Sequence, residues 1–347
     1  MKILRRLLKP KKLKRDLKAP LPPGIDPTLS AIWRYLPGTG RPRKTPRSAP
    51  DVLILQIGKV ASLALQDAVN RYGFNAMHSH AVSPQSQHQQ LDFVLAMQPN
   101  PWSAYSMMDV LVQATALHQL LKWYQRHKTR DGHRLKVITL TREPVAWYCS
   151  AFIQIWTHTA PGIADWWRRR LNLPDDATVD PVEALRQLLA EAVPLVAAAR
   201  PSLGCDAARA EANRRAAMDG NMIVPYEVDR LIRPLDWFAN EIQPQFGFDV
   251  LAAPALAKGG VVRMENEFSE LLALRYEDLT INMPEIGRFL GVADFTIDRR
   301  NVTEDKSAAT EIMPVLKGAF ATPEGRVLAH ELRHSPYGKA CGYDRLD

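Results

Sequence analysis

Two short apolar runs, DVLILQI from Asp51 and LKVITLT from Leu135, constrain the fold more than anything else in the chain. Val52, Leu53, Ile54 and Leu55 leave no polar face, so a strand made of them has to be buried on both sides, as in a parallel sheet covered by helices. The first run passes through GKVAS into a segment where Leu63, Leu65, Ala68 and Val69 recur at near-helical spacing, closed by Tyr72-Gly73. The second passes through Arg142 and Glu143 into a helix opened by Pro144. FNAMHSH and LDFVLAM read as further strands, residues 102–128 as largely helical, and residues 161 to about 260 as mostly helical and rich in Trp, Arg and Ala. LLALRYEDL restores a strand before the helix MPEIGRFLGV. Strands alternating with helices predict an α/β fold with a mostly parallel sheet, whose ligands gather beyond the carboxyl ends of the strands.

The charge is unevenly placed. The formal net charge is +8, yet residues 1–50 carry 14 Lys or Arg against Asp16 and Asp26, and the other 31 basic and 35 acidic residues leave the rest slightly acidic. A nucleic-acid partner is therefore not expected. Residues 1–50 read as a basic leader followed by a Pro-, Gly-, Arg- and Ser-rich linker, and residues 51–347 as the folded domain, with a helical insertion at about 160–265. The leucine-bearing basic tail over residues 1–20 has two readings: a contact with an anionic membrane surface, or a solvated leader. Cys149, Cys205 and Cys341 match no disulfide or metal-ligand spacing, and no apolar run reaches 18 residues. A cytoplasmic protein, peripheral at the inner membrane if the tail binds there, with no metal, is the expectation.

Gly58, Lys59, Val60, Ala61, Ser62 and Leu63 lie where a buried strand turns into a helix. Unpaired amides and the helix dipole favour an anion at such a place, to which Lys59 adds a charge and Ser62 a hydroxyl. The loop is too short for the GxxxxGK[ST] pattern of nucleoside-triphosphate sites, and a plain strand-to-helix turn remains the alternative. Arg142 lies at the carboxyl end of the second run, and Ser150 about two helical turns beyond it. Together they can hold a second phosphate, although Arg142 can equally form a helix-entry salt bridge.

IGKVAS after one strand and TREPVAWYCSAF after a later one resemble the two signatures of the sulfotransferases that use 3′-phosphoadenosine-5′-phosphosulfate. DWFANEI, FGFDV and LLALRYEDL resemble the bacterial branch of capsular polysaccharide synthesis proteins, so the likeness covers roughly residues 51–345. The resemblance implies a P-loop-type α/β fold, a phosphosulfate held at residues 58–63 with Lys59 on the sulfate side, a 3′-phosphate held by Arg142 and Ser150, and a carbohydrate acceptor. Where that family usually has Gly-Ser-Thr-Ser or Ala-Ser-Thr-Ser, this chain has Ala61-Ser62-Leu63-Ala64, without two of the hydroxyls.

Sulfuryl transfer also needs a base for the acceptor hydroxyl. If MHSH is a strand, His78 and His80 share one face, with His80 nearer the carboxyl end. His80 is the expected base and His78 the residue that orients it; H-x-H resembles the segment carrying the base in uronyl-type sulfotransferases. A buried structural role stands beside this for each histidine, and Glu277 and Asp278 are alternative carboxylates. Two other function classes stay open: a non-catalytic nucleotide- or anion-binding protein, and a nucleoside-phosphate kinase on a related fold.

Overall fold

The computed structural model describes residues 50–58, 60–84, 86, 114–125 except 116, 119 and 123, then 134–219, 223–298 and 307–346. Residues 1–49, Lys59 and the expected strand LDFVLAM lie outside the described residues, as does most of 102–128; the described residues from 114 to 125 are helical.

The fold is α/β, built on a five-stranded, mostly parallel sheet flanked by helices. Its order is β2-β1-β3-β5-β4, with β1 (Val52–Leu55), β2 (Ala76–Ser79), β3 (Leu135–Thr141), β4 (Val262–Glu265) and β5 (Ser269–Arg275). All pairs are parallel except β4 with β5. All four residues of β1 have no exposed surface, as their unbroken apolar run requires. Helix α1 (Ser62–Arg71) links β1 to β2 on one side, and the chain then crosses to β3 on the other side of β1. The carboxyl ends of β1 and β3 therefore flank a topological switch point, where open α/β sheets bind ligands.

Helix α2 (Pro144–Arg170) leaves β3 and runs unbroken through Pro161. It is followed by α3 (Pro181–Ala198), α4 (Asp206–Asp219) and α5 (Ile223–Trp237), a π-helical turn at Phe238–Ile242, and the short α6 (Gln243–Phe246). The helix expected to open at Pro144 runs on without a break into the stretch read as mostly helical, whose last residues form β4. β4 was not foreseen: only Val262 of its four residues is buried, so its apolar signal is weak, and it forms as the antiparallel edge partner of β5. Helices α7 (Met283–Leu290), α8 (Ser307–Ala321), α9 (Pro323–Arg333) and α10 (Pro336–Ala340) complete the chain.

Two polar features lie inside this framework. Lys136 of β3 pairs with Glu270, its register partner on β5, at 2.9 Å. Where α2 meets α5, Glu227 and Arg230 form a buried ion pair at 2.9 Å. The Tyr148 hydroxyl donates to the same carboxylate, and the Arg230 guanidinium stacks on Phe152 and Tyr226. Cys149, Cys205 and Cys341 are buried free thiols, and burial pushes each up to about 12, so all three stay protonated and inert. Among the described residues no helix is long and apolar enough to cross a membrane.

Candidate functional site

The loop leaving β1 is held in a shape that few residues can adopt. Gly58 has φ of 89°, and the place where a Cβ would sit lies 3.4 Å from the His80 ring. The positive φ favours glycine there, and the His80 ring lies in ordinary contact range of that position. Gln56 is fully buried and its side-chain N–H donates to the Val60 carbonyl, closing the loop across its base. Ala61, the N-cap of α1, is left-handed with φ of 62° and supplies no side-chain cap. A non-glycine residue held there stores about 1 kcal/mol, and such strain collects at functional sites. The first backbone bond of α1 runs from Leu65 N–H to Ala61 C=O. The amides of Ser62, Leu63 and Ala64 are thereby left without an intrahelical acceptor, at the positive end of the helix. Ser62 is buried, whereas Leu63, where the resembled family carries a hydroxyl, is 48% exposed. Gln56 Oε1 is buried without a partner among the described residues; as an acceptor it suits a donor group and not a phosphate oxygen. An anion here would rest on the three amides. Lys59 lies outside the described residues.

The second loop touches the first. Trp147, in the first turn of α2, donates its indole N–H to the Gly58 carbonyl at 2.9 Å. Arg142 stands just before that helix, its guanidinium 4.6 Å from the centre of the Tyr276 ring. Glu143 caps α2 by accepting from Ala146 N–H at 2.6 Å and pairs with Arg333 at 3.0 Å. Ser150 is buried on α2, two turns beyond the loop. The two segments marked by sequence, 58–63 and 142–150, are therefore adjacent at the switch point. Glu277 accepts from Glu143 N–H and the Tyr343 hydroxyl, and Asp278 pairs with Arg275, so both of these carboxylates are engaged in holding the strand ends.

The histidines stand beside the first loop. β2 ends at Ser79, so His80 lies one residue past it, with its ring centroid 5.5 Å from that of His78. His80 Nδ1 bonds the Gln56 carbonyl at 3.0 Å. A carbonyl only accepts, so Nδ1 carries the hydrogen and the neutral ring keeps its basic lone pair on Nε2. The carbonyl of Gln56 is thus one orienting partner of His80. His78 Nδ1 meets Gln66 Oε1 at 2.5 Å, and Gln66 is fixed because its N–H donates to the Ala76 carbonyl. His78 therefore carries the same tautomer. Burial lowers its pKa below the ordinary value, against the opposing charge of Asp67.

Two residues that the sequence reading did not single out hold the segment that bears His80. Trp237 donates its indole N–H to the His80 carbonyl at 3.0 Å. Glu241, in the π-helical turn, accepts from Val82 N–H at 2.5 Å and Ser83 N–H at 2.8 Å. Both belong to the DWFANEI segment, which was read only as a resemblance and carries no local sign of a clamp. Burial raises the Glu241 carboxyl to about 7, with the hydrogen bonds from Ser86, Val82 and Ser83 opposing. A carboxyl raised above its unfolded value favours the protonated folded state. Its cost to stability is absent below about pH 4.5 and grows as the pH rises through about 7. Glu241→Gln keeps the acceptor for both amides and can turn its NH2 to Ser83 Oγ. Urea unfolding should show the variant about 2 kcal/mol more stable than the parent at pH 8 and indistinguishable from it at pH 4.

Arg168, Arg169 and Arg170, at the end of α2, are paired with Asp165, Asp175 and Glu191. Trp147, Trp156 and Trp166 are core residues. An open groove of about 520 Å³ beside Trp167, Arg170, Glu191 and Arg215 lies at the far end of α2, about 40 Å of helix from Arg142. That distance removes it from the chemistry of the loops. No family model, curated protein or solved structure matches the chain.

Proposed function

We propose that the protein is a P-loop-type sulfotransferase, moving a sulfuryl group from 3′-phosphoadenosine-5′-phosphosulfate to a hydroxyl of a carbohydrate acceptor. One observation carries the reading: two anion-suited loops leave adjacent parallel strands and meet through the Trp147–Gly58 bond, with the His80 ring packed on the same glycine. In this reading the amides of residues 62–64 and Lys59 stabilise the charge gathering on the leaving phosphate. Arg142 and Ser150 hold the 3′-phosphate and so fix the donor in line. The acceptor oxygen attacks sulfur as the sulfur–oxygen bond to phosphate breaks, and its proton passes to His80 Nε2. The donor binds as a substrate and the reading uses no metal.

A second reading, a nucleotide-binding protein without catalysis, is favoured by Leu63 and Ala64 standing where the resembled family has hydroxyl donors. Thermal-shift titration with the phosphosulfate, 3′-phosphoadenosine-5′-phosphate, ATP with Mg²⁺ and ADP separates transferase, passive binder and kinase. 3′-Phosphoadenosine-5′-phosphate should bind more tightly than AMP. Arg142→Ala should weaken it at least about tenfold and leave AMP nearly unchanged, since a charge-assisted bond contributes roughly 1.5–3 kcal/mol. Equal affinity of the parent protein for the two nucleotides would sink the assignment.

A further inference from the structure

We propose that Tyr337, near the end of the chain, is a positioning residue for Arg142 and so for recognition of a 3′-phosphate. The inference rests on the function proposed above. The Tyr337 oxygen accepts from Arg142 N–H at 3.0 Å and its hydroxyl donates to the Arg142 carbonyl at 2.8 Å. One phenol thus satisfies both backbone groups of the arginine just where β3 has ended and no neighbouring strand does so.

The ring is fixed in its turn. It is 1% exposed, 6.3 Å from Phe238 and 6.0 Å from Tyr343 between ring centres. Ser335 caps the turn that presents it, accepting from Gly338 N–H at 3.0 Å, and a Cβ at Gly338 would stand 1.9 Å from the Arg333 carbonyl. Helix α10 is therefore seated directly on the end of α9, whose Arg333 holds Glu143, the residue after Arg142. Tyr343 makes a parallel attachment one residue upstream, to Thr141 Oγ1 at 3.0 Å. Residues 141, 142 and 143 are each tied to the last fifteen residues of the chain, and at the other end of the side chain the Arg142 guanidinium rests on Tyr276. An arginine held at its backbone and along its side chain loses little further freedom when it grips a phosphate, and that preorganisation appears as affinity.

The test compares two nucleotides that differ only in the 3′-phosphate. By calorimetric titration, Tyr337→Phe should lower the affinity for 3′-phosphoadenosine-5′-phosphate about fivefold to tenfold and leave AMP within about twofold, because both bonds to Arg142 are lost at constant ring volume. Equal weakening of the two would mark a structural role only and overturn the proposal. Full discrimination retained by Tyr337→Phe overturns the role of Tyr337 alone. No discrimination by the parent protein overturns the sulfotransferase reading and this role with it. Should the variant not fold, 3-fluorotyrosine at position 337 of the full chain supplies a second measurement. Its fluorine resonance should move with 3′-phosphoadenosine-5′-phosphate and not with AMP, and identical responses overturn the proposal.

Discussion

His80→Ala should reduce sulfuryl transfer to a glycan acceptor by about 10²–10⁴ in turnover while the melting-temperature rise with 3′-phosphoadenosine-5′-phosphate stays within error of the parent's. The expectation follows from the tautomer. The Gln56 carbonyl holds the hydrogen on Nδ1, leaving Nε2 to take a proton, and the ring stands against Gly58 at the mouth of the first loop. His80→Gln should be nearly as inactive, because an amide has no basic nitrogen. His78→Ala should act more weakly, through the Gln66 contact and the packing of the two rings. Parent-like turnover in His80→Ala would assign the ring to structure and leave the reaction without its base.

Arg230→Ala should cost about 3–5 kcal/mol of stability in urea unfolding, the loss expected when one member of a buried ion pair is removed. Glu227 would keep its place under Tyr148 with its ion-pair partner gone and only the charge of Arg233 still acting on it, in a site where burial already raises the carboxyl above its ordinary value. Some of the loss is packing, since the guanidinium covers the faces of Phe152 and Tyr226. Replacing all three polar groups together, by Tyr148→Phe, Glu227→Leu and Arg230→Met, should be close to neutral or stabilising, because the desolvation cost vanishes with the charges. A triple variant as damaged as Arg230→Ala would mean that steric fit, and not an orphaned charge, dominates at this place.

The elements legible in the sequence were those whose signal is local. β1 could be read because an unbroken apolar run tolerates water on neither face, β3 because Leu135, Val137, Ile138 and Leu140 keep it largely apolar, and the start of α2 because Pro144 suits the first turn of a helix. Loops 58–63 and 142–150 could be marked because a strand turning at once into a helix exposes amides wherever it occurs. Period 2 put His78 and His80 on one side of a strand MHSH; β2 ends at Ser79, and the two rings lie 5.5 Å apart between centres, tilted at 56°. β4 escaped because an edge strand with one buried residue in four is defined by its partner and not by its own pattern.

What the sequence by itself determined is therefore the class of the fold, the layering of helices on a largely parallel sheet, and the two loops, each a matter of hydrophobic period and turn chemistry within a few residues. Only the tertiary structure decided the order β2-β1-β3-β5-β4, which brings the two loops together. It alone decided what holds the reactive segments: Trp237 on His80 from 157 positions away, and Tyr337 on Arg142 from 195. The reason is physical. A hydrogen bond at such separation depends on how layers pack and where buried amides and carbonyls are left over, and no residue carries that in its own neighbourhood.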